Sequence, residues 1–166
     1  MSLRAPGEAM TEAVVASRGD DEIDRLLALM LSSDAGIEIP IVHRFTPGLY
    51  VREMTAPAGA IIVSKIHRTE HPYTVSSGAM LVFVGSDVAE VRAPFTGITK
   101  PGTRRVAVVL EDCVWTTYHP TTETDIDKIE EAIIEPREVP KAYFAEAKEF
   151  LARLTEGLAF RGKIGQ

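Results

Sequence analysis

Cysteine is nearly absent from this chain of 166 residues, which contains only Cys113. A single thiol excludes an internal disulfide and any metal site built from several thiolates, so a metal ion would need His, Asp or Glu ligands. The ordinary role of one such residue is that of a small buried side chain rather than a reactive thiol.

Long apolar runs and an excess of basic residues are also missing. The longest apolar stretches, such as Val106 to Leu110, fall far short of the ~20 residues that cross a bilayer, and the first residues lack the apolar core of a signal peptide. The formal net charge is -6, whereas general binding to nucleic acid or to an acidic membrane depends on a positive field. We therefore expect a cytoplasmic protein with neither nucleic acid nor membrane as a partner, which leaves room for a local basic pocket.

Three patterns that carry common chemistries do not occur in the sequence: a Gly-rich phosphate loop, a nucleophile elbow and a Cys-x-x-Cys pair. Their absence argues against nucleotide-driven, serine-hydrolase and thioredoxin-like activities. Candidate functional residues are therefore sought among the four histidines and the charged side chains near them.

Hydrophobic residues make up 45% of the chain and charged residues 25%, which is the balance of one soluble globular domain. Asp20 precedes an amphipathic helix that is predicted over Asp21–Ser33. Near the other end, helices are predicted over Asp125–Ile134, which a capping-box-like pair begins, and over Lys141–Glu156, which Gly157 ends.

The middle of the chain consists of short runs rich in Val, Ile, Thr and aromatic residues, separated by Pro and Gly. Such regular spacing without a helical period indicates an antiparallel sandwich or barrel, with about the number of strands that a jelly roll needs. The predicted strands are Ile37–Val42, Leu49–Met54, Ala60–Ile66, Tyr73–Ser77, Ala79–Gly85, Val88–Arg92, Phe95–Thr99, Arg104–Leu110 and Val114–His119.

The chain thus divides into three predicted parts. Residues 1–36 form an N-terminal arm and helix, the arm being assigned because residues 1–19 show no sustained period. Residues 37–120 form a β-barrel, and residues 121–166 form C-terminal helices that pack on the barrel or on a partner subunit.

Polar residues recur at fixed spacing between two glycines, Gly59 and Gly78. The segment resembles the first motif of the cupin superfamily, which reads Gly, five residues, His-x-His, three or four residues, Glu, six residues, Gly. Lys65 stands at the first His position of that motif, His67 at the second, and His71 at the Glu position.

The segment from Gly97 through Pro101 and Gly102 to Arg105 is similar to the second cupin motif, with Arg105 at its His position. Over roughly residues 40–120 the resemblance implies a mainly β, cupin-type (RmlC-like) jelly-roll barrel, here with N-terminal and C-terminal helices. More narrowly, the chain resembles small phage- and prophage-encoded cupin-like proteins of unknown function.

The two histidines of the first motif must approach each other if they are to share an ion. On an extended strand, His67 and His71 would stand ~13 Å apart, which is too far. We therefore predict a turn at residues 68–70, so that His67 ends one strand and His71 begins the next, as the cupin motif implies.

A third histidine is predicted to join them. If Glu111 and Asp112 form the tip of a tight hairpin, Arg104 pairs with His119 and both side chains lie on one face near the mouth of the barrel. A slip of one residue would turn His119 to the other face.

Two interpretations of this pocket follow. In the first, His67, His71 and His119 bind one divalent transition metal (Zn, Mn, Fe or Ni) through neutral imidazoles, and Glu70 is a reserve ligand. Positions on the ion then stay open for water or substrate.

In the second interpretation the pocket binds an anion. Lys65 and Arg105 point into the same mouth, where they would hold a carboxylate, a phosphate or a sugar nucleotide. Trp115 and Tyr118 are further candidate ligand contacts, although packing alone also explains aromatic residues in strands.

Three functions from different classes fit these patterns: a metal-dependent or acid/base enzyme acting on a small polar substrate, a non-catalytic binding module for an anionic small molecule, and a phage or prophage accessory structural protein. Each histidine alone is more simply explained by an ordinary core or surface position, and His43 is interpreted in that way. The three others together favour a site. A homodimer is expected from the frequency of twofold assemblies.

Overall fold

A computed structural model describes residues 2–4 and 19–164, with side chains described from residue 19 to residue 153. The elements in chain order are β1 (Ser2–Arg4), α1 (Asp20–Ser32), β2 (Gly36–Ile37), β3 (Ile41–Thr46), β4 (Leu49–Ala56), β5 (Ala60–Val63), β6 (Ile66–His67), β7 (His71–Val84), β8 (Asp87–Arg92), β9 (Phe95–Thr99), β10 (Val106–Pro120), α2 (Ile126–Ile133), β11 (Ile134–Glu135) and α3 (Lys141–Ile164). Most of the predicted arm lies outside the described residues, which include only β1 and Gly19 of it. Within the described part of the chain, no helix has the length and apolar character needed to span a membrane.

The two long strands β7 and β10 pair with each other and bend at the same level. Their register shifts between Val109 and Trp115, where Gly78 of β7 faces the backbone of Asp112. Gly78 has a φ of 75°, and a Cβ atom at this position would clash with the Asp112 carbonyl oxygen. Only glycine therefore fits at the point where the two strands bulge together.

This paired bend corrects the predicted hairpin. A tight turn was predicted at Glu111 and Asp112, but β10 runs without reversal through both residues to Pro120. Arg104 precedes β10 and is not paired with His119. The prediction was wrong because consecutive polar residues occur at bulges as well as at hairpin tips, and β7 is likewise one strand where two were predicted.

The bend divides one large antiparallel sheet into two halves that share β7 and β10. In one half the strand order is β2, β1, β5, β10, β7, β8, and in the other it is β3, β4, β10, β7, β9. Val75 and Trp115 of the second half share a buried cluster with Met80 and Ala107 of the first. The halves therefore face each other, and the predicted fold class, a mainly β jelly roll with helices at both ends, is confirmed.

Helices α1 and α3 cover the outer face of the first half. Leu26 and Met30 of α1 join Ala147 of α3 and the outward residues Ile61 and Val106 in one buried cluster. Because β5 and the adjoining parts of β7 and β10 are covered on both faces, these segments are almost continuously apolar instead of alternating.

Two predicted helix ends differ from the observed ones. Helix α1 begins at Asp20, with Gly19 as N-cap and no side-chain capping bond, so Asp20 is not the cap. Helix α3 continues through Gly157 to Ile164, because a single glycine costs a helix only about 1 kcal/mol and does not by itself end it. The α2 start is close to the prediction, with the Asp125 carboxylate accepting from the backbone N–H groups of Asp127 and Lys128.

A buried ion-pair cluster joins α1 to the barrel and to the C-terminal segment. The Asp24 carboxylate is 1% exposed and lies 2.7 Å from Arg104 Nη2 and 2.7 Å from Arg137 Nη2. Burial by itself would raise the pKa of Asp24, but the hydrogen bonds from Arg137 and Arg104 outweigh it and hold the pKa below its usual value. The sequence analysis did not single out this contact, which fixes the loop just before Arg105.

We expect Asp24→Asn to lower the free energy of unfolding by about 3 kcal/mol, because the buried Arg104 guanidinium loses its nearest carboxylate and keeps only the exposed Asp20, at 3.6 Å. The stabilisation from Asp24 is present above the unfolded-state pKa of ~3.9 and disappears as the pH falls below it. Urea unfolding at pH 7 and pH 3 measures both effects. Asp21→Asn, an exposed neighbour on α1, is the control, and a loss equal to that of the control would contradict the prediction.

Candidate metal site

The polar end of the interior is built on the pairing of β4 with β10. Because side chains alternate between faces along a strand, residues two apart in each strand point to the same side. The register aligns three pairs of side chains that all line the cavity between the sheet halves: Tyr50 with His119, Arg52 with Thr117, and Met54 with Trp115. His119 therefore owes its place to β4 and not to the predicted hairpin.

His67 reaches the same place from a separate two-stranded sheet. Strand β6 pairs with β11, which follows α2, so that His67 lies opposite Ile134. The His67 carbonyl oxygen also accepts a hydrogen bond from the Gly102 N–H at 2.9 Å. The C-terminal segment thus holds one of the three histidines in position.

The predicted turn at residues 68–70 is confirmed, since β6 ends at His67 and β7 begins at His71. The ring centroids of His67 and His71 are 4.4 Å apart, those of His71 and His119 4.4 Å, and those of His67 and His119 5.3 Å. One nitrogen from each ring lies within 4.8 Å of the others. The three imidazoles therefore converge, and both His71 and His119 are 1% exposed.

Hydrogen bonds fix how these rings carry their protons. The Thr117 hydroxyl donates its hydrogen to the Arg52 carbonyl oxygen at 3.5 Å. The Thr117 hydroxyl oxygen is therefore the acceptor for His119 Nε2–H, at 3.1 Å. His119 Nδ1 then carries no proton, and this buried nitrogen has no hydrogen-bond partner among the described residues.

The His71 ring follows the same pattern. Its Nδ1–H donates to the Thr69 carbonyl oxygen at 3.1 Å. His71 and His119 thus each use one nitrogen as a donor and keep the other as a Lewis base. Imidazoles that ligate metals are oriented in this way by partners of the second nitrogen.

The environment keeps the rings neutral. Burial, with smaller contributions from neighbouring positive charges, lowers the pKa of His67 to about 4 and that of His119 to about 3. Burial also lowers the pKa of His71, against the hydrogen bond that His71 donates to the Thr69 carbonyl oxygen, which raises it. Metal ions bind the neutral form of imidazole, so this set of residues fits a divalent transition metal.

Arg105 lines the cavity, as predicted. Its backbone exchanges hydrogen bonds with Ser64, and its guanidinium donates to Thr99 Oγ1 at 3.1 Å. The same group lies over the rings of Tyr73 and Trp115, with 5.6 and 5.9 Å to their centroids. Thr99 pairs with His71 across β9 and β7, so Arg105 stands beside the histidines.

Lys65 occupies the rim of the cavity and is exposed. Its ammonium group pairs with Glu130 of α2 at 2.6 Å, so its charge is compensated before any ligand arrives. The predicted reserve ligand, Glu70, is exposed and lies 3.9 Å from Lys100. Glu70 is therefore not part of the histidine cluster.

The remaining predicted contacts divide between the two faces of β10. Trp115 lines the cavity and stacks on Tyr73, with the ring centroids 4.3 Å apart. Tyr118 has the opposite parity, is not among the residues that line the cavity, and hydrogen-bonds to Thr74 at 3.1 Å. His43 lies outside the cluster and contacts Tyr50, as its interpretation as a structural residue suggests.

Two important residues were missed by the sequence analysis, Arg52 and Thr117. Both line the cavity. Their spacing in the sequence could have indicated them, because residues two apart on a strand point to the same face. Arg52 lies two residues from Tyr50, and Thr117 lies two residues from His119. That signal is readable only once the register of β4 against β10 is known.

The cavity has a volume of about 360 Å³, which is large enough for a small organic molecule. Apart from the histidines and arginines, its walls are mainly apolar: Ile37, Ile39, Ile41, Met54, Ile62, Met80, Ala107, Ile133 and Ile134. The site therefore combines one polar end with an apolar body.

Comparisons with known proteins yield no match to a protein-family model and no match to a curated protein sequence. Among solved structures, KdgF from a Halomonas species is 20% identical, with 58% of this chain and 90% of that chain covered and a TM-score of 0.46. An RmlC-like cupin from Shewanella frigidimarina is 19% identical, with 55% and 84% covered and a TM-score of 0.43. A second protein from that organism, which contains a cupin-2 domain, is 9% identical, with 54% and 85% covered and a TM-score of 0.42. At such identities the similarities say nothing about substrate or reaction.

In metal-free protein we expect His67 and His119 to stay neutral at pH 5, because burial disfavours their charged forms. Between pH ~6.5 and the lowered folded-state values, the unfolded chain binds protons that the folded chain does not, so stability falls as the pH is lowered through this range. Imidazole nitrogen shifts measured by NMR during a pH titration test this. Titration of either ring near pH 6.5 in the folded protein would contradict it.

Proposed function

We propose that the cavity is the active site of a metal-dependent enzyme that acts on a small polar substrate, with His67, His71 and His119 as the metal ligands. The observation that supports it most is the convergence of three imidazoles, of which His71 and His119 are buried and have one nitrogen engaged in a hydrogen bond. In particular, His119 Nδ1 is buried without a hydrogen-bond partner among the described residues, and a metal ion would accept its lone pair. Zn, Mn, Fe and Ni all accept imidazole ligands.

The ion, when bound, would supply a Lewis acid, a redox centre or a template, with positions left for water or substrate. The chain's own part is to hold the lone pairs in place. Thr117 and the Thr69 carbonyl fix the proton positions on His119 and His71, and apolar side chains form most of the cavity wall. The unprotonated nitrogens of these two rings are therefore held in place before the ion binds.

A non-catalytic binding module for an anionic small molecule is the second candidate function. It is favoured by the Arg105 guanidinium in the cavity wall. A phage or prophage accessory protein, in which the barrel serves only as a scaffold, would be expected to have a filled barrel mouth. The cavity of about 360 Å³ argues against that third role.

The homodimer and the cytoplasmic location remain proposals. A surface that fits a homodimer is β3, which ends the strand order of its half of the sheet and has Ile41, Val42 and Phe45 partly exposed. Unpaired edge strands with apolar side chains are ready sites for pairing with a second chain.

We expect purified chelator-treated protein, incubated separately with Zn²⁺, Mn²⁺, Fe²⁺ and Ni²⁺, to bind one equivalent of at least one of them, measured by elemental analysis after dialysis. His71→Ala removes one of three ligands and should abolish stoichiometric binding. His43→Ala, which changes the histidine outside the cluster, should retain it. Failure of the wild-type protein to bind any of the four candidate metals would refute the proposed function.

Thr117→Val should weaken metal binding by about 10- to 100-fold without removing any ligand, because the His119 Nε2–H loses its acceptor. Competition with a fluorescent chelator gives the change in Kd. Thr116→Val, at the neighbouring buried position on the other face of β10, is the matched control and should change the Kd less than threefold. Equal effects of the two variants would mean that Thr117 does not orient His119.

A further inference from the structure

The inner end of the cavity carries positive charge without a matching carboxylate. Among the described residues, the acidic side chains that line the cavity are Glu38 and Glu130. Glu38 is exposed, and Glu130 is already paired with Lys65 at the rim. The buried end, where the histidines lie, therefore has no anion of its own.

Arg105 contributes one of the uncompensated charges. It is partly buried, and one N–H donates to Thr99 Oγ1, while no carboxylate among the described residues pairs with it. Its backbone contacts with Ser64 and its position over Trp115 hold the guanidinium in place. A fixed guanidinium with unused N–H groups is pre-organised for an anion.

Arg52 contributes the second charge and is the less expected one. Its side chain lines the cavity and has no hydrogen-bond or ion-pair partner among the described residues. Arg44, in the neighbouring strand, is by contrast paired with Glu53 at 3.1 Å. Because burial of an unpaired guanidinium is costly, an unpaired arginine in a cavity wall points to a missing anionic partner.

Both guanidiniums line the same cavity as the three histidines. The positive charge of Arg52 lowers the pKa of His67 and His119, whereas that of Arg105 lowers the pKa of His67 and His71. His67 is thus within electrostatic reach of both. Any divalent metal held by three neutral imidazoles would add to this positive charge and increase the affinity of the cavity for an anion.

We infer that the cavity binds a small carboxylate with an apolar body, whose carboxylate group is held beside the histidines by Arg52 and Arg105. This inference rests on the proposed function in that it names the substrate class of the same site. The planar edge of a guanidinium matches a carboxylate through two parallel hydrogen bonds. A phosphate dianion would lose more hydration in a pocket whose other walls are apolar, so the carboxylate is the better fit.

The experiment measures the Kd of hexanoate, of its neutral analogue hexanamide and of inorganic phosphate by calorimetry or NMR, in zinc-loaded and in zinc-free protein. We expect hexanoate to bind at least about tenfold more tightly than hexanamide and phosphate. Arg52→Gln and Arg105→Gln should each weaken hexanoate binding about tenfold or more and leave hexanamide binding unchanged. Arg52→Lys, which keeps the positive charge but cannot donate two parallel hydrogen bonds, should give an intermediate Kd.

Arg44→Gln is the matched control, because it removes an arginine from the neighbouring strand outside the cavity wall, and it should change no Kd by more than twofold. Circular dichroism checks that every variant is folded. Equal affinity for hexanoate and hexanamide, or hexanoate binding that Arg52→Gln and Arg105→Gln leave unaltered, overturns the inference. Phosphate binding tighter than hexanoate binding overturns the carboxylate assignment.

The zinc arm separates this inference from the proposed function. If zinc does not bind but hexanoate binding still depends on both arginines, the metal-dependent enzyme fails and the carboxylate site stands. If zinc binds stoichiometrically and hexanoate is not distinguished from hexanamide, the metal site stands and the carboxylate site fails.

Discussion

The register of β10 against β4 is the constraint on which the site depends. It aligns Tyr50 with His119 and Arg52 with Thr117 on the inner face of the sheet. A slip of one residue would move His119 and Thr117 to the outer face and leave His67 and His71 without a third partner. The shared bend of β7 and β10 at Gly78 then places the second half of the sheet opposite these residues and closes the cavity.

The sequence carried the fold class and most of the histidine cluster. Gly59, His67, His71 and Gly78 stand at the spacing of a known motif. On an extended strand, His67 and His71 would be ~13 Å apart and could not bind one ion, so a turn between them was expected. The turn between them was predicted from that distance together with the resemblance to the motif. Short runs rich in Val, Ile, Thr and aromatic residues also located most of the barrel strands, although β7 and β10 were each predicted as two strands and β11 was not predicted.

The remaining features depend on contacts between distant parts of the chain. His119 was assigned to the mouth for a reason that proved wrong, because a local reading of Glu111 and Asp112 cannot distinguish a bulge from a hairpin tip. Lys65 was expected to bind the ligand, yet Glu130, 65 positions later, neutralises it. Arg52 looked like an ordinary strand residue until the register placed it across from Thr117.

The histidine cluster and the arginines complement each other chemically. Three neutral imidazoles provide no negative charge to offset a divalent ion, and the two arginines would make the site more positive still. A carboxylate ligand removes this imbalance, since it satisfies the guanidiniums and lies next to the position that the ion would occupy. Metal binding and anion binding, which the sequence presented as alternatives, are thus compatible in one cavity.

X-ray absorption spectroscopy of the zinc-loaded protein tests the central claim most directly, because it counts the imidazole rings around the ion. Three imidazole ligands per zinc in the wild-type protein, and two in His119→Ala, are the predicted result. Zinc coordinated by oxygen atoms alone, or an unchanged imidazole count in the variant, would show that the three rings do not form a metal centre.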